Sequence, residues 1–192
     1  MPSQEQFPRT TPPQRLLILG SPGSGKSTLA RQLATRTRLP LLHLDQLYWH
    51  AGWVEPARAA WLEQLEAALA APAWICDGNY ATSLPLRLRY ADAVLVLDYP
   101  TPLCLFRALK RVLTTRGTVR PDMAPGCPER FDPEFIRYIL RFRRTQRPLM
   151  LAALQDFPGR VLWARTPRQL RALQGDFGFS LTGETSAPHP CP

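Results

Sequence analysis

Short apolar runs alternate with longer amphipathic stretches along this chain. The runs Leu16–Leu19, Leu41–Leu44, Trp74–Cys76, Val94–Leu97 and Val161–Ala164 have strand length, and between them apolar residues recur every three or four positions. Such alternation predicts βαβ units and a parallel sheet, hence an α/β fold. Helix starts are legible too. Pro56 suits the first turn of a helix whose inward stripe is Trp61, Leu62, Leu65 and Leu69, with Glu63 and Glu66 outward. Thr101-Pro102 reads as N-cap and first helical residue, followed by a stripe of Phe106, Leu109, Val112 and Leu113, and Asp132-Pro133 repeats the start signal. Between those helices, Thr115–Arg130 holds Gly117, Pro121, Pro125, Gly126 and Pro128 without periodicity, which predicts a long loop of the kind that serves as a lid, too irregular to pack by itself.

Composition narrows the class. A chain of 192 residues predicts one domain able to bury a core without staples. We place that domain at 15–179 and expect disordered tails at 1–14 and 180–192, where Pro and polar residues dominate. Cys76, Cys104, Cys127 and Cys191 lack paired spacing, so neither a disulfide framework nor a cysteine metal site is expected. No apolar run can span a bilayer, and acidic Glu5 stands where a signal peptide would be basic, so the expectation is a soluble, cytoplasmic protein without a membrane partner. The formal charge of +9 suggests anionic partners. Only Lys26 and Lys110 are lysines, and the arginines concentrate between Arg107 and Arg147, which favours a local phosphate site over a diffuse nucleic-acid surface. Direct DNA binding is possible but no motif supports it.

The strongest motif is Gly20-Ser-Pro-Gly-Ser-Gly-Lys-Ser27, a G-x-x-x-x-G-K-[ST] pattern between a predicted strand and a predicted helix. Small residues let backbone N–H groups face phosphate oxygens, and the helix adds its positive end. Gly20, Ser21, Gly23, Ser24, Gly25, Lys26, Ser27 and Thr28 are therefore the candidate ATP cradle. Lys26 is expected to reach the β- and γ-phosphates and Ser27 to ligate Mg²⁺, while Thr28 packs or caps.

Three acids close predicted strands, where α/β sheets bind ligands: Asp45, Asp77 and Asp98. Asp77, in an Asp-Gly turn, is the candidate to hold Mg²⁺ through water, and Asp45 the candidate to orient or deprotonate an acceptor hydroxyl. Capping or turn roles are the alternatives, favoured for Asp98. His43 shares a strand face with Asp45 and either pairs with it or is a buried structural histidine. Tyr48, Trp49 and Trp53 either stack a planar substrate or close the core, Trp53 leaning to the core. Arg107 and Arg111, four apart on one helix face, are candidates for the transferring phosphoryl group; Arg137, Arg141 and Arg144 form a similar row that is either a phosphate site or solvated surface.

From about Leu16 to Leu173 the order of Asp98, Arg107, Arg111, the Pro/Gly-rich loop, Arg137 and Arg147-Pro148 resembles nucleoside-monophosphate kinases of the P-loop type. More specifically, His43-Leu-Asp-Gln-Leu-Tyr-Trp49, Gly52-Trp53, Trp74-Ile-Cys-Asp-Gly-Asn-Tyr80 and Arg120-Pro-Asp-Met-Ala-Pro-Gly-Cys-Pro-Glu129 resemble the DNA topology modulation proteins, FlaR-like relatives of adenylate kinase. The resemblance implies a three-layer P-loop NTPase fold, a five-stranded parallel sheet of order 2-3-1-4-5, a helical substrate-side insert after Asp45 and a mobile lid at about Thr115–Arg130. Where those kinases grip the acceptor with Asp-Gly-x-Pro-Arg, this chain has Asp77-Gly-Asn-Tyr and offers Arg87 or Arg89 beyond it, so the acceptor does not carry over. The expected function is an ATP- and Mg²⁺-dependent kinase acting on a small, nucleotide-like acceptor; the alternative is a regulatory ATP-binding protein, a nucleotide switch acting on DNA topology or a protein partner.

Overall fold

The computed structural model describes residues 12–173, so most of both expected tails, and residues 174–179 of the expected domain, lie outside the described residues. The element order is β1 (Arg15–Gly20), α1 (Lys26–Thr37), β2 (Leu41–His43), α2 (Leu44–Tyr48), α3 (Arg58–Leu69), β3 (Trp74–Asp77), α4 (Leu84–Tyr90), β4 (Ala93–Leu97), α5 (Thr101–Thr115), α6 (Pro133–Gln155), β5 (Arg160–Ala164) and α7 (Pro167–Ala172). The five strands are parallel in the order β2-β3-β1-β4-β5, the topology expected.

Each central strand is an unbroken apolar run because both of its faces are covered. Leu16 and Ile18 of β1 point into one core with Leu29, Ala30 and Leu33 of α1 and Cys104 and Ala108 of α5. Leu17 and Leu19 point the other way, against Trp61, Leu65 and Leu69 of α3 and Met150 and Leu154 of α6. Each fully buried leucine contributes about 1.5–3 kcal/mol, so these two layers carry the fold. Helix α6 serves both, with Ile139 in the first core and Met150 in the second, and its interior contains Pro148. Asp132 caps it as expected, accepting from the backbone N–H groups of Glu134 and Phe135.

Four local expectations need correction. Pro56 precedes α3 rather than opening it, since the helix begins at Arg58. Thr101 is the first helical residue of α5, not its N-cap. The stripe assigned to that helix is only half right: Val112 faces inward as expected, but Phe106 is 65% exposed and Leu113 83%, and Cys104 and Ala108 take the inward places. The inward residues are small because α5 lies hard against the loop after β1, where a Cβ added at Gly23 would meet the Cys104 carbonyl oxygen at 2.1 Å. Finally, β2 ends at His43, so Asp45 sits in the first turn of α2.

Candidate active site

The loop between β1 and α1 is a cradle of main chain. Gly20, Gly23 and Gly25 all have positive φ (144°, 79° and 96°), which turns successive N–H groups inward and favours glycine over any other residue. Asn79, from the turn after β3, accepts from the Gly20 N–H at 3.2 Å and fixes the entry to the loop. Ser21 and Ser24 are buried, Ser27 is half-buried and Thr28 is exposed, so Thr28 does not pack. The Lys26 ammonium folds back onto the Ser21 carbonyl at 3.1 Å. Burial lowers its pKa, against the opposing pull of Asp77 and Asp45. The half-buried ammonium thus has less negative charge around it than would offset its partial burial.

The strand-end acids have different partners. His43 donates to Asp77 across the β2–β3 pair, where the two residues are in register. His43 is therefore the buried histidine of the two readings, a partner of Asp77, and the alternative pair with Asp45 is not formed. Asp98 is held by Arg147 at 3.0 and 2.9 Å, with Arg143 3.7 Å away, so it anchors α6 to the end of β4. Asp45 instead accepts from the Tyr80 hydroxyl at 2.8 Å. Burial raises the Asp45 carboxyl, the Tyr80 hydrogen bond opposes that, and neighbouring Asp77 adds to it.

Tyr80 is held from behind. Arg87, fully buried, donates to the carbonyl oxygens of Gly78 (3.0 Å), Asn79 and Tyr80 (3.2 Å). The turn it clamps is strained, with Tyr80 at φ 25°. Arg87 is thus a structural clamp and not the acceptor-gripping arginine considered from the sequence, while Arg89 is exposed beside Glu66. Tyr138 of α6 lies beside Asn79, and burial pushes its phenol up to about 12. Tyr48, Trp61 and Tyr80 pack ring against ring under this turn, with centroids 4.6–5.3 Å apart.

The loop from 116 to 132 lies folded over this end of the sheet, packed not on itself alone but against tryptophans of another segment. Met123, Ala124 and Cys127 are buried against Trp49 and Trp53, which places Trp53 beneath the lid rather than in the main core. Gly126 accepts from the Gly52 N–H at 2.9 Å, and Gln46 donates to the Pro121 carbonyl. Arg107 and Arg111 part company here. Arg107 lies along the cradle, donating to the Ser24 carbonyl at 3.3 Å, whereas Arg111 is bound by Glu129 of the lid at 3.2 Å. Arg137, Arg141 and Arg144 are exposed, as a solvated face would be. Sequence reasoning missed the roles of Arg120, Asp122 and Glu129, whose available signal was the density of charge inside a Pro/Gly loop.

The site fits a magnesium-complexed phosphate chain. Among the described residues the buried Ser24 hydroxyl has no hydrogen-bond partner, nearby acids do not offset the burial of Lys26, and the nearby donors, Ser27, Asp77 and Asp45, are oxygen. Among the described residues no group of three or more His, Cys, Asp or Glu could hold a metal alone. Mg²⁺ ordinarily takes one or two carboxylates and completes its shell with substrate phosphates and water. No helix among the described residues is long and apolar enough to cross a membrane.

No family model matches the sequence, and no curated protein matches it. Solved structures similar to this chain include a deoxyadenosine kinase from M. mycoides with bound dATP, at 12% identity over 85% of this chain and 98% of that one, with a TM-score of 0.48. Another is a candidate kinase from Chloroflexus aurantiacus, at 22% identity over 83% of this chain and 91% of that one, also with a TM-score of 0.48.

Proposed function

We propose that this chain is an ATP-dependent kinase that transfers the terminal phosphoryl group to the hydroxyl of a small, nucleotide-like acceptor, a P-loop kinase of the FlaR-like kind its motifs resemble. The observation that carries this reading is Asp45: a carboxylate fixed by Tyr80 and made more basic by burial, within the electrostatic reach of the cradle lysine. A nucleotide-controlled switch needs the cradle and the lid but has no use for such a group. A carboxyl with raised pKa is a better proton acceptor, as a general base beside the γ-phosphate must be.

In this reading backbone N–H groups of Gly23–Lys26 hold the phosphates and Lys26 neutralises their charge. Arg107, lying over the same loop, faces the charge that builds as the phosphoryl group leaves, with Arg111 behind it, and the packed lid excludes water. Ser27, and Asp77 through water, would hold Mg²⁺, which when bound supplies further charge neutralisation. The acceptor hydroxyl gives its proton to Asp45.

The test is a phosphoryl-transfer screen over nucleosides, nucleotides and sugars with Mg-ATP, followed by Asp45→Asn on any acceptor found. Transfer that falls by about 10²–10⁴ in the variant, with ATP affinity retained, is the expected result. ATP binding with no transfer to any acceptor would sink the kinase reading in favour of a switch.

A further inference from the structure

The lid holds two buried carboxylates, and the kinase reading uses neither. Asp122 is 5% exposed and Glu129 6%, although acids on loops ordinarily face water. Glu129 serves the lid's own attachment, binding Arg111 of α5 at 3.2 Å and Arg120 of the lid at 2.8 Å. Asp122 lies instead against the cradle. One oxygen takes Arg120 at 3.0 Å, and the other stands 4.0 Å from Arg31, one helical turn beyond Ser27 on α1. The Ser27 hydroxyl helps to stabilise the charged form of the same carboxylate.

The charges around Asp122 hold it ionised, but its one close cation is divided between two acids. Arg120 is shared with Glu129, and Arg31 is 42% exposed at a distance where screening weakens the pair. An ionised carboxylate is therefore buried close to Ser27, which in the kinase reading faces the phosphates. Burial tends to raise its pKa, but Arg120 and Ser27 outweigh that and keep it ionised. A bare triphosphate entering the cradle meets this carboxylate as a like charge. A divalent cation between the two is attracted by both.

We propose that Asp122 makes the cradle selective for magnesium-complexed over metal-free nucleotide, with the lid itself supplying the discriminating charge. This rests on the reading of the cradle as an ATP site. It concerns binding, so it is tested without turnover. Calorimetry would compare ATP in excess Mg²⁺ with ATP in EDTA for the wild type, Asp122→Asn and Glu129→Gln. The near-isosteric Asn variant should narrow the preference for the magnesium form by at least about tenfold, tightening metal-free binding while loosening the other. Glu129→Gln, which cuts the tie between lid and α5 but leaves the charge beside Ser27, should shift both affinities in the same direction. Asp122→Ala gives the same readout should the amide variant fail to fold. An unaltered ratio in the Asp122 variants, whether both affinities fall together or neither moves, overturns this inference alone. A wild type that binds ATP in neither buffer overturns the ATP-site reading and this inference with it.

Discussion

The two walls of the cleft are built from different material. The phosphate wall is main chain: glycines with positive φ, pressed between α5 and the end of β4, present N–H groups whose positions depend on no side chain. The facing wall is side chain, a relay in which Arg87 holds the turn at 78–80, Tyr80 holds Asp45, and Trp49 and Trp53 hold the lid. The first wall fails when an atom is added and the second when an atom is removed.

The sharpest way to break that contrast is at glycine. Gly23→Ala would drive a Cβ to 2.1 Å from the Cys104 carbonyl oxygen at a φ of 79°, with backbone on both sides unable to give way. Overpacking at about 1–3 kcal/mol and the left-handed penalty at about 1–2 predict a loss of roughly 2–5 kcal/mol. Gly117 in the lid has nearly the same φ, 78°, but open space around it, so Gly117→Ala should lose only the conformational part, about 1–2 kcal/mol. Urea unfolding of both variants checks this, and equal losses would mean that close approach does not govern the phosphate wall.

Lys26→Ala should separate binding from stability. The ammonium is desolvated and its pKa lowered, so its removal leaves the unfolding midpoint unchanged or higher. Nucleotide affinity should meanwhile fall by as much as about a hundredfold, the worth of a charge-assisted hydrogen bond of roughly 1.5–3 kcal/mol. Parallel calorimetry and denaturation decide it; affinity equal to that of the wild type would rule Lys26 out of the cradle.

The smallest expected effect belongs to the side-chain wall. Tyr80→Phe removes the donor that opposes the burial of Asp45, so the carboxyl should titrate higher still, at a cost of about 1 kcal/mol. The sign follows from linkage. A carboxyl raised in the folded state is penalised only while ionised, so the variant's deficit is greatest near neutrality and shrinks as pH falls through the Asp45 pKa. Carboxyl NMR together with unfolding at several pH values would read both; a deficit independent of pH would mean that Tyr80 acts through packing alone.

The same contrast explains what could be read in advance. Parallel strands covered on both faces are continuous apolar runs, and a glycine-rich turn between strand and helix announces its backbone course locally, so the sheet and the shape of that loop were legible. The α5 stripe was misjudged because an inward face that touches the cradle must be small: Cys104 and Ala108 carry little hydrophobic signal, while Phe106 and Leu113 carry much and face outward. His43 with Asp77 and Asp122 with Arg31 join residues 34 and 91 positions apart, beyond any spacing rule of helix or strand, and Arg87 ends on main-chain carbonyls, which carry no residue signal. The lid was seen as a loop, but its packing comes from tryptophans on another segment.

The Arg87 clamp also bears on how such a protein diverges. Its hydrogen bonds end on carbonyl oxygens, which every amino acid possesses, so replacements at Asn79 or Tyr80 leave the clamp itself its acceptors. Gly78 has no such latitude, since a Cβ there would come within 2.7 Å of Leu44. A lineage bearing this clamp can therefore exchange the two side chains that look into the cleft, trying new chemistry on a turn whose course is inherited unchanged.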